Sequence, residues 1–162
     1  MLIDIANVSA SDLAAVLQLN EAEVPNVGRV DIEQMYWFAE HATYFRVAKQ
    51  AGQLAAFLIG LRPGTAYASP NYRWFCARYD EFAYVDRVAV APSARRQGLA
   101  ARLYDDFAAS MPETVAAMTC EVNIRPPNDQ SMQFHYRLGF REVGRLISEG
   151  GNKEVAMLLK DL

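Results

Sequence analysis

The sequence predicts an α/β or α+β domain, and three observations lead to this fold class. The chain has 162 residues, 52% of them hydrophobic, which suits one domain with a sizeable core. Short apolar runs typical of strands alternate with segments whose apolar residues recur at helical spacing. One such run, 84–90, leads through a short basic loop into a helical pattern. We therefore expect 1–162 to form a single domain.

The apolar patterns predict seven strands and four helices in the order β-α-α-β-β-β-α-β-α-β-β. The predicted strands cover 2–6, 44–48, 54–61, 84–90, 115–124, 140–143 and 154–159. The predicted helices cover 11–20, 31–41, 99–110 and 129–138. Helical spacing predicts one inward face in each of the first two helices, made of Leu13, Val16, Leu17 and Asn20 and of Ile32, Met35, Tyr36 and Phe38.

The segment 62–80 stands apart from these patterns because it combines two prolines and a glycine with five aromatic residues. Its composition predicts irregular structure. Long aromatic loops in compact domains are usually functional lids or loops packed on themselves. A role in substrate binding and a purely structural role, as a packed loop or a subunit contact, both remain open.

Composition excludes several classes of protein. The formal net charge of −3 argues against general nucleic-acid binding, which requires a basic face. The absence of a long apolar run and of a signal-peptide pattern predicts no membrane association. Cys76 and Cys120 suggest reduced thiols and a cytoplasmic location, and Cys120 is expected to be a small buried side chain. His41 and His135 show no spacing typical of a metal site.

The basic loop after strand 84–90 predicts a binding site for an anion. The first amides of a helix lack partners within the helix and lie at the positive end of its dipole. Arg95 and Arg96 add positive charge there, and Gly98 allows a ligand to approach the backbone. The pattern Arg95-x-x-Gly98-x-Ala100 resembles motif A of the GNAT superfamily of N-acetyltransferases. In that family the loop wraps the pyrophosphate of acetyl-CoA.

A second segment, NDQSMQFHYRLGF at 128–140, resembles motif B of the same family. The matching residues are Asn128, Ser131, Phe134, Leu138, Gly139 and Phe140. Helical spacing puts polar residues on one face and apolar residues on the adjacent one, namely Asn128, Ser131 and His135 against Phe134 and Leu138. The resemblance implies that Asn128 bonds the pantetheine arm of the cofactor, while its position also suits a plain helix N-cap.

The resemblance implies a mixed, mostly antiparallel central sheet of about seven strands flanked by about four helices. Two central strands of the family's sheet splay apart to admit acetyl-CoA, which needs no metal. The residues expected to contact the cofactor are Val88, Ala89, Val90, Arg95, Arg96, Gln97, Gly98, Leu99, Ala100, Asn128, Ser131 and His135. A backbone N–H around 88–90 is expected to bond the thioester carbonyl. Family habit alone suggests a homodimer.

Three side chains are candidates for proton transfer. Glu121 is the first choice as general base, because some bacterial ribosomal-protein alanine acetyltransferases carry a glutamate on this strand. Asp86 is the alternative, although either carboxylate could instead be the structural partner of an arginine such as Arg87. His135 occupies the place where many relatives have a tyrosine that protonates the leaving thiolate, and Tyr136 follows one position later.

The expected reaction is acetyl transfer to an amine of a small molecule or peptide, by direct attack within a ternary complex. Residues expected to bind the acceptor are Asn26, Tyr67, Trp74, Tyr84 and Asn123. The alternative is a non-catalytic acyl-CoA-binding module on the same fold. A third hypothesis, a nucleotide-binding or purely structural domain, is weakened because neither GxxxxGK[ST] nor GxGxxG occurs in the sequence.

Overall fold

A computed structural model describes residues 2–162 of the chain. The strands are β1 (Ile3–Asn7), β2 (Tyr44–Gln50), β3 (Gln53–Leu61), β4 (Ala83–Val90), β5 (Ala117–Arg125), β6 (Arg141–Ser148) and β7 (Lys153–Asp161). The α-helices are α1 (Leu13–Glu23), α2 (Ile32–His41), α3 (Pro70–Cys76), α4 (Leu99–Ala109) and α5 (Asp129–Leu138). Across residues 2–162, none of the helices has both the length and the apolar character needed to cross a membrane.

The seven strands form one sheet in the order β1-β2-β3-β4-β5-β7-β6. The pairs β1–β2, β2–β3, β5–β7 and β6–β7 are antiparallel. Strands β4 and β5 run parallel, with Ala83 opposite Met118 and Tyr84 opposite Thr119. The mixed, mostly antiparallel sheet of seven strands confirms the predicted fold class.

The described chain divides into two compact units. The first contains the residues up to Leu61 together with Val85–Ser110, and the second contains Arg62–Tyr84 and Met111–Leu162. Strand β4 therefore gives its first two residues to the second unit and the others to the first. The expectation that 1–162 forms a single domain stays a prediction.

The inward faces of α1 and α2, both in the first unit, differ in part from those that helical spacing predicted. Leu19 is buried in α1 and Leu17 is not, because the buried stripe runs from Leu13 through Val16 to Asn20 and Leu17 lies outside its arc. In α2 only Met35 and Phe38 are fully buried, and they stand three residues apart on one side. Tyr36, about 100° further round the helix, is 53% exposed, and Ile32 is also exposed.

The segment 62–80 of the second unit is not irregular throughout, so that prediction was wrong in part. Residues Pro70–Cys76 form α3, which makes five α-helices where four were predicted. Proline suits the first position of a helix because its φ angle is already helical and its missing N–H is not needed there. The Ser69 hydroxyl caps the helix by accepting a hydrogen bond from the Tyr72 amide at 3.4 Å.

Helix α3 packs against β6 at a position where the chain has no side chain. A Cβ atom added to Gly144 would lie 2.4 Å from the Trp74 ring, so only glycine leaves room for this contact. The Arg78 guanidinium lies over the same ring at 3.8 Å from its centroid. Trp74 thus fixes α3 against β6 within the second unit.

Candidate active site

The basic loop of the first unit connects β4 to α4 through a short 3-10 helix, Pro92–Ala94. Gly98 follows in the left-handed region at φ 73° and occupies the N-cap position of α4. The first i to i−4 bond of the helix runs from the Arg102 amide to the Gly98 carbonyl at 3.0 Å. Because glycine has no side chain with which to cap a helix, the amides of the first turn, between Gly98 and Arg102, are available to a ligand.

Space and charge at this loop suit a phosphate group. A Cβ atom on Gly98 would meet nothing within 4 Å, which means that the backbone there faces open space. Arg96 is exposed and has φ 64°, whereas the Arg95 guanidinium bonds the Glu23 carboxylate at 2.5 Å. The loop therefore offers one cation already paired with α1 and a second that reaches solvent.

Other predicted cofactor residues surround the loop within the first unit. The Gln97 side-chain oxygen accepts a hydrogen bond from the Gln50 amide nitrogen, Leu99 is buried in α4, and Ala100 is half-buried. A pocket of about 450 Å³ opens beside Ala91, with walls from α1 and from the first two residues of β3. In β4, Val88 and Val90 are half-buried while Ala89 is buried, so the two valines share one face of the strand.

Asp86 lies in a buried ion pair, as the structural alternative predicted. Arg87 Nε donates to Asp86 Oδ2 at 2.7 Å, and the two side chains are only 7% and 4% exposed. The same guanidinium donates to the Asn20 side chain at 3.0 Å and to the Gly28 carbonyl at 2.9 Å. The geometry thus assigns Asp86 a structural partner, which weakens its case as a base.

Glu121 lies at the centre of a hydrogen-bonded cluster in the second unit. The Tyr84 hydroxyl is 3.0 Å from Glu121 Oε1 and 2.8 Å from Oε2, so it donates to the carboxylate. The Asn71 side-chain amide donates to Oε1 at 3.1 Å. A half-buried carboxylate held by two donors has a defined orientation, and a general base requires this.

Aromatic side chains of α3 support this cluster. The Tyr84 ring is completely buried and packs against the rings of Tyr72 and Phe75, at centroid distances of 5.5 and 5.8 Å. The Tyr72 hydroxyl donates to the Arg62 carbonyl at 2.6 Å, and burial raises the pKa of this phenol. The ring of Tyr67 packs on Tyr72 at 5.6 Å. Much of the aromatic segment is thus packed on itself.

Two further polar residues of β5 share the face of Glu121 by alternation. Asn123 is buried, and its carbonyl accepts a hydrogen bond from the Asn128 amide at 3.2 Å. The Thr119 hydroxyl is fully buried and has no hydrogen-bond partner among residues 2–162. The polar face of β5 therefore runs from Thr119, which pairs with β4, to Asn123, which bonds the start of α5.

Motif B forms α5 with the predicted bounds, and the Asn128 side chain caps it by accepting from the Ser131 amide at 3.4 Å. The expected division of its faces was wrong. His135 is the one buried residue of this helix, while Phe134 and Leu138 are half-buried. The reason is Phe140, which follows the Gly139 turn and packs edge-on against the imidazole at 5.3 Å.

The His135 ring is held by its own helix. Its Nδ1 lies 2.7 Å from the Ser131 carbonyl, which can only accept, so Nδ1 carries the proton. Burial lowers the pKa of His135, and the Ser131 bond opposes this only in part. The neighbouring Tyr136 is 48% exposed. No observation assigns either side chain as the proton donor, and both stay predictions.

Sequence reasoning missed Asn71, because a segment predicted to be irregular offers no helix face to assign. The Ser69-Pro70 pair was the available signal, since serine is a preferred N-cap and proline a preferred first residue. The remaining acceptor candidates are Asn26, which is exposed after α1, and Trp74, which packs on Gly144. No group of three or more His, Cys, Asp or Glu side chains within residues 2–162 is arranged to hold a metal.

Comparison with known proteins adds independent evidence. The model of the Acetyltransferase (GNAT) family matches residues 13–140. Ard1 from Thermoplasma volcanium is 18% identical over 100% of this chain and 99% of its own, with a TM-score of 0.79. NAA60 of Arabidopsis thaliana, in complex with a bisubstrate analogue, is 19% identical over 99% of this chain and 98% of its own, with a TM-score of 0.77.

The ribosomal-protein-S18-alanine N-acetyltransferase of Escherichia coli is 18% identical over 99% of this chain and 94% of its own, with a TM-score of 0.73. Among curated proteins, none matches this chain. At such identities the solved structures show a common fold. Because the family model covers more than half of the chain, the protein belongs to the GNAT family of acetyltransferases, which move an acetyl group from acetyl-CoA to an amine.

Proposed function

We propose that this protein transfers an acetyl group from acetyl-CoA to an amine by direct attack, with Glu121 as the general base. The observation that carries the proposal is the Glu121 carboxylate, oriented by hydrogen bonds from Tyr84 and Asn71. Membership of the family supports the reaction. Arabidopsis NAA60, which shares the fold, has been solved with acetyl-CoA, and this supports the choice of cofactor.

The cofactor's pyrophosphate would bind at the start of α4. The first amides of the helix and the exposed Arg96 supply donors and positive charge there, and Gly98 leaves the approach open. Arg95 would join once it exchanges Glu23 for phosphate. The other contacts proposed along the cofactor are those of Val88, Ala89, Val90, Gln97, Leu99, Ala100, Asn128, Ser131 and His135.

In the proposed reaction the amine nitrogen attacks the thioester carbon, a C–N bond forms and the C–S bond breaks. Glu121 takes the proton that the amine loses, and the CoA thiolate gains one. A backbone N–H of 88–90 would stabilise the developing oxyanion. His135 and Tyr136 are the proposed alternatives for returning a proton to sulfur. Asp86 is the lesser candidate for the base because Arg87 already holds it.

For the acceptor we propose a peptide or protein amine as the first class to test. The fold is shared with an enzyme named for an alanine of ribosomal protein S18, and this supports a polypeptide over a small amine. The side chains proposed to contact the acceptor are Asn26, Tyr67, Trp74, Tyr84 and Asn123. A cytoplasmic location and a homodimer belong to the same proposal.

Calorimetry with acetyl-CoA tests the cofactor site. We expect wild type to bind and Gly98→Glu to lose binding, because the new carboxylate fills the open space and repels phosphate. Gly98→Ala is the matched control, since it introduces the strain of a side chain at positive φ without charge. Absence of binding to wild type would contradict the proposal. Equal loss in both variants would mean that backbone strain, rather than charge, abolishes the site.

Acetyl transfer to a panel of peptides and small amines tests the chemistry. Glu121→Gln keeps the size of the side chain and removes the base, so we expect kcat to fall about 10²- to 10⁴-fold. Glu142→Gln, a surface glutamate paired with Arg145, is the control and should keep full activity. Binding of acetyl-CoA without transfer to any amine would favour the alternative, a non-catalytic acyl-CoA-binding module.

A further inference from the structure

Helix α3 brings one polar side chain to the catalytic candidate. Asn71 stands on the first turn of this helix and donates its amide N–H to Glu121 Oε1 at 3.1 Å. A carboxylate can only accept hydrogen bonds, so the amide nitrogen, rather than the amide oxygen, must face it. The contact joins residues that are 50 positions apart in the chain.

We propose that Asn71 is a positioning residue for acetyl transfer, which holds the Glu121 carboxylate in the orientation that accepts the proton of the amine. The proposal rests on the proposed function, because it requires that Glu121 is the base. Tyr84 reaches both carboxylate oxygens from the β4 side, and Asn71 adds a donor to only one of them. The second donor fixes the rotation of the carboxylate.

The position of Asn71 within α3 argues for a role beyond helix stability. It follows Pro70 in the first turn, where the helix dipole favours an acidic side chain. Aspartate would therefore serve the helix better than asparagine. An amide at this position can donate to the Glu121 carboxylate, whereas an aspartate would repel it.

The same helix also fixes the first donor. Tyr72 and Phe75 of α3 pack against the Tyr84 ring, and Trp74 fixes the helix against Gly144. Thus α3 carries Asn71, which donates to Glu121, and packs around Tyr84, which also donates to it. The helix acts on the base through side-chain contacts of defined geometry, and its placement decides how well the base is aligned.

The test compares Asn71→Asp with Asn71→Leu, using acetyl-CoA and whichever amine the panel yields. Asn71→Asp preserves the size and favours the helix but places a second carboxylate beside Glu121. Asn71→Leu keeps a similar size and removes the donor. Arg73→Leu, on the exposed side of α3, is the matched control. The readouts are kcat, the KM for acetyl-CoA, the pH dependence of kcat/KM, and the thermal midpoint of each variant.

For Asn71→Asp we expect a kcat lower by about 10- to 100-fold, an unchanged KM for acetyl-CoA, and a lowered thermal midpoint at neutral pH because the new carboxylate lies against that of Glu121. The acidic limb of kcat/KM should move to higher pH, because a neighbouring negative charge favours the protonated base. Asn71→Leu should also lower kcat, and Arg73→Leu should behave as wild type. A purely structural role would move the thermal midpoint and leave the acidic limb in place.

Two outcomes overturn the inference, and each is distinct from failure of the proposed function. If Glu121→Gln abolishes transfer but Asn71→Asp has wild-type kcat and pH dependence, Glu121 is the base and Asn71 does not position it. If Glu121→Gln retains wild-type kcat, the proposed base itself is wrong and the role of Asn71 fails with it.

Discussion

The burial of His135 determines what this residue can do. Its imidazole packs against Phe134 and Phe140, and its Nδ1–H donates a hydrogen bond to the Ser131 carbonyl. Burial lowers the pKa of the ring, so the neutral form is favoured in the folded protein. Many relatives have a tyrosine at this position of the motif, whereas His135 is here part of the packing of α5.

This burial predicts a pH dependence of stability. The pKa of His135 is lowered on folding, so the unfolded chain binds the proton first as the pH falls through about 6.5. The contribution to stability is therefore complete above that pH and is lost below it. We expect His135→Phe to show a smaller decrease of thermal midpoint between pH 7.5 and 5.5 than wild type. A wild-type slope in His135→Phe would contradict the prediction.

The ion pair of Asp86 and Arg87 leads to a second prediction at the level of single residues. Arg87→Met leaves the Asp86 carboxylate buried without its cation, which should lower the free energy of unfolding by about 3–5 kcal/mol. Chemical denaturation measures this loss. The double variant Asp86→Asn, Arg87→Met removes the uncompensated charge and should recover part of it.

The single variants Asp86→Asn and Glu121→Gln separate the two candidate bases. If Asp86 is structural, Asp86→Asn lowers stability and keeps most of the kcat. Glu121→Gln should instead keep most of the stability and lose kcat. A loss of kcat in Asp86→Asn at temperatures where the variant stays folded would restore Asp86 as the base.

At the level of elements, the seating of α3 depends on the contact between Trp74 and Gly144. A methyl group at Gly144 would collide with the Trp74 ring, so Gly144→Ala should lower the free energy of unfolding by about 1–3 kcal/mol. Because α3 carries Asn71, kcat should fall as well. The double variant Gly144→Ala, Trp74→Leu makes room for the methyl group. Its single-variant control, Trp74→Leu, shows what loss of the indole alone costs, and an unaffected Gly144→Ala would contradict this account.

Local signals predicted most elements well. Helix α2 begins after Asp31, whose side chain accepts from the Gln34 amide, and α5 lies between the Asn128 cap and Gly139 as predicted. Helix α3 was missed because its seven residues are too few to show an apolar period. Its stability comes from the packing of Tyr72 and Phe75 in the core. A sequence window over α3 does not contain their packing partners.

At the level of the whole molecule, cofactor binding should raise stability by mass action. Acetyl-CoA at 100 times its dissociation constant should stabilise the folded protein by about 2.7 kcal/mol. The thermal midpoint of wild type should therefore rise with acetyl-CoA concentration, and that of Gly98→Glu should not. Desulfo-CoA, which lacks only the thiol and keeps the pyrophosphate and the pantetheine arm, should also stabilise wild type. A rise of equal size in Gly98→Glu would place the cofactor elsewhere.

The sequence by itself determined the family, the strand–loop–helix motif and the capped helix of motif B. These features depend on residues close together in the chain, where helix caps, turns and apolar spacing act locally. It also singled out Glu121 as the first choice for the general base and Asp86 as the alternative. The tertiary structure decided what surrounds each one, since it brings Asn71 to Glu121 and Arg87 to a buried Asp86. Burial and long-range hydrogen bonds depend on packing between distant segments, so no local pattern contains them.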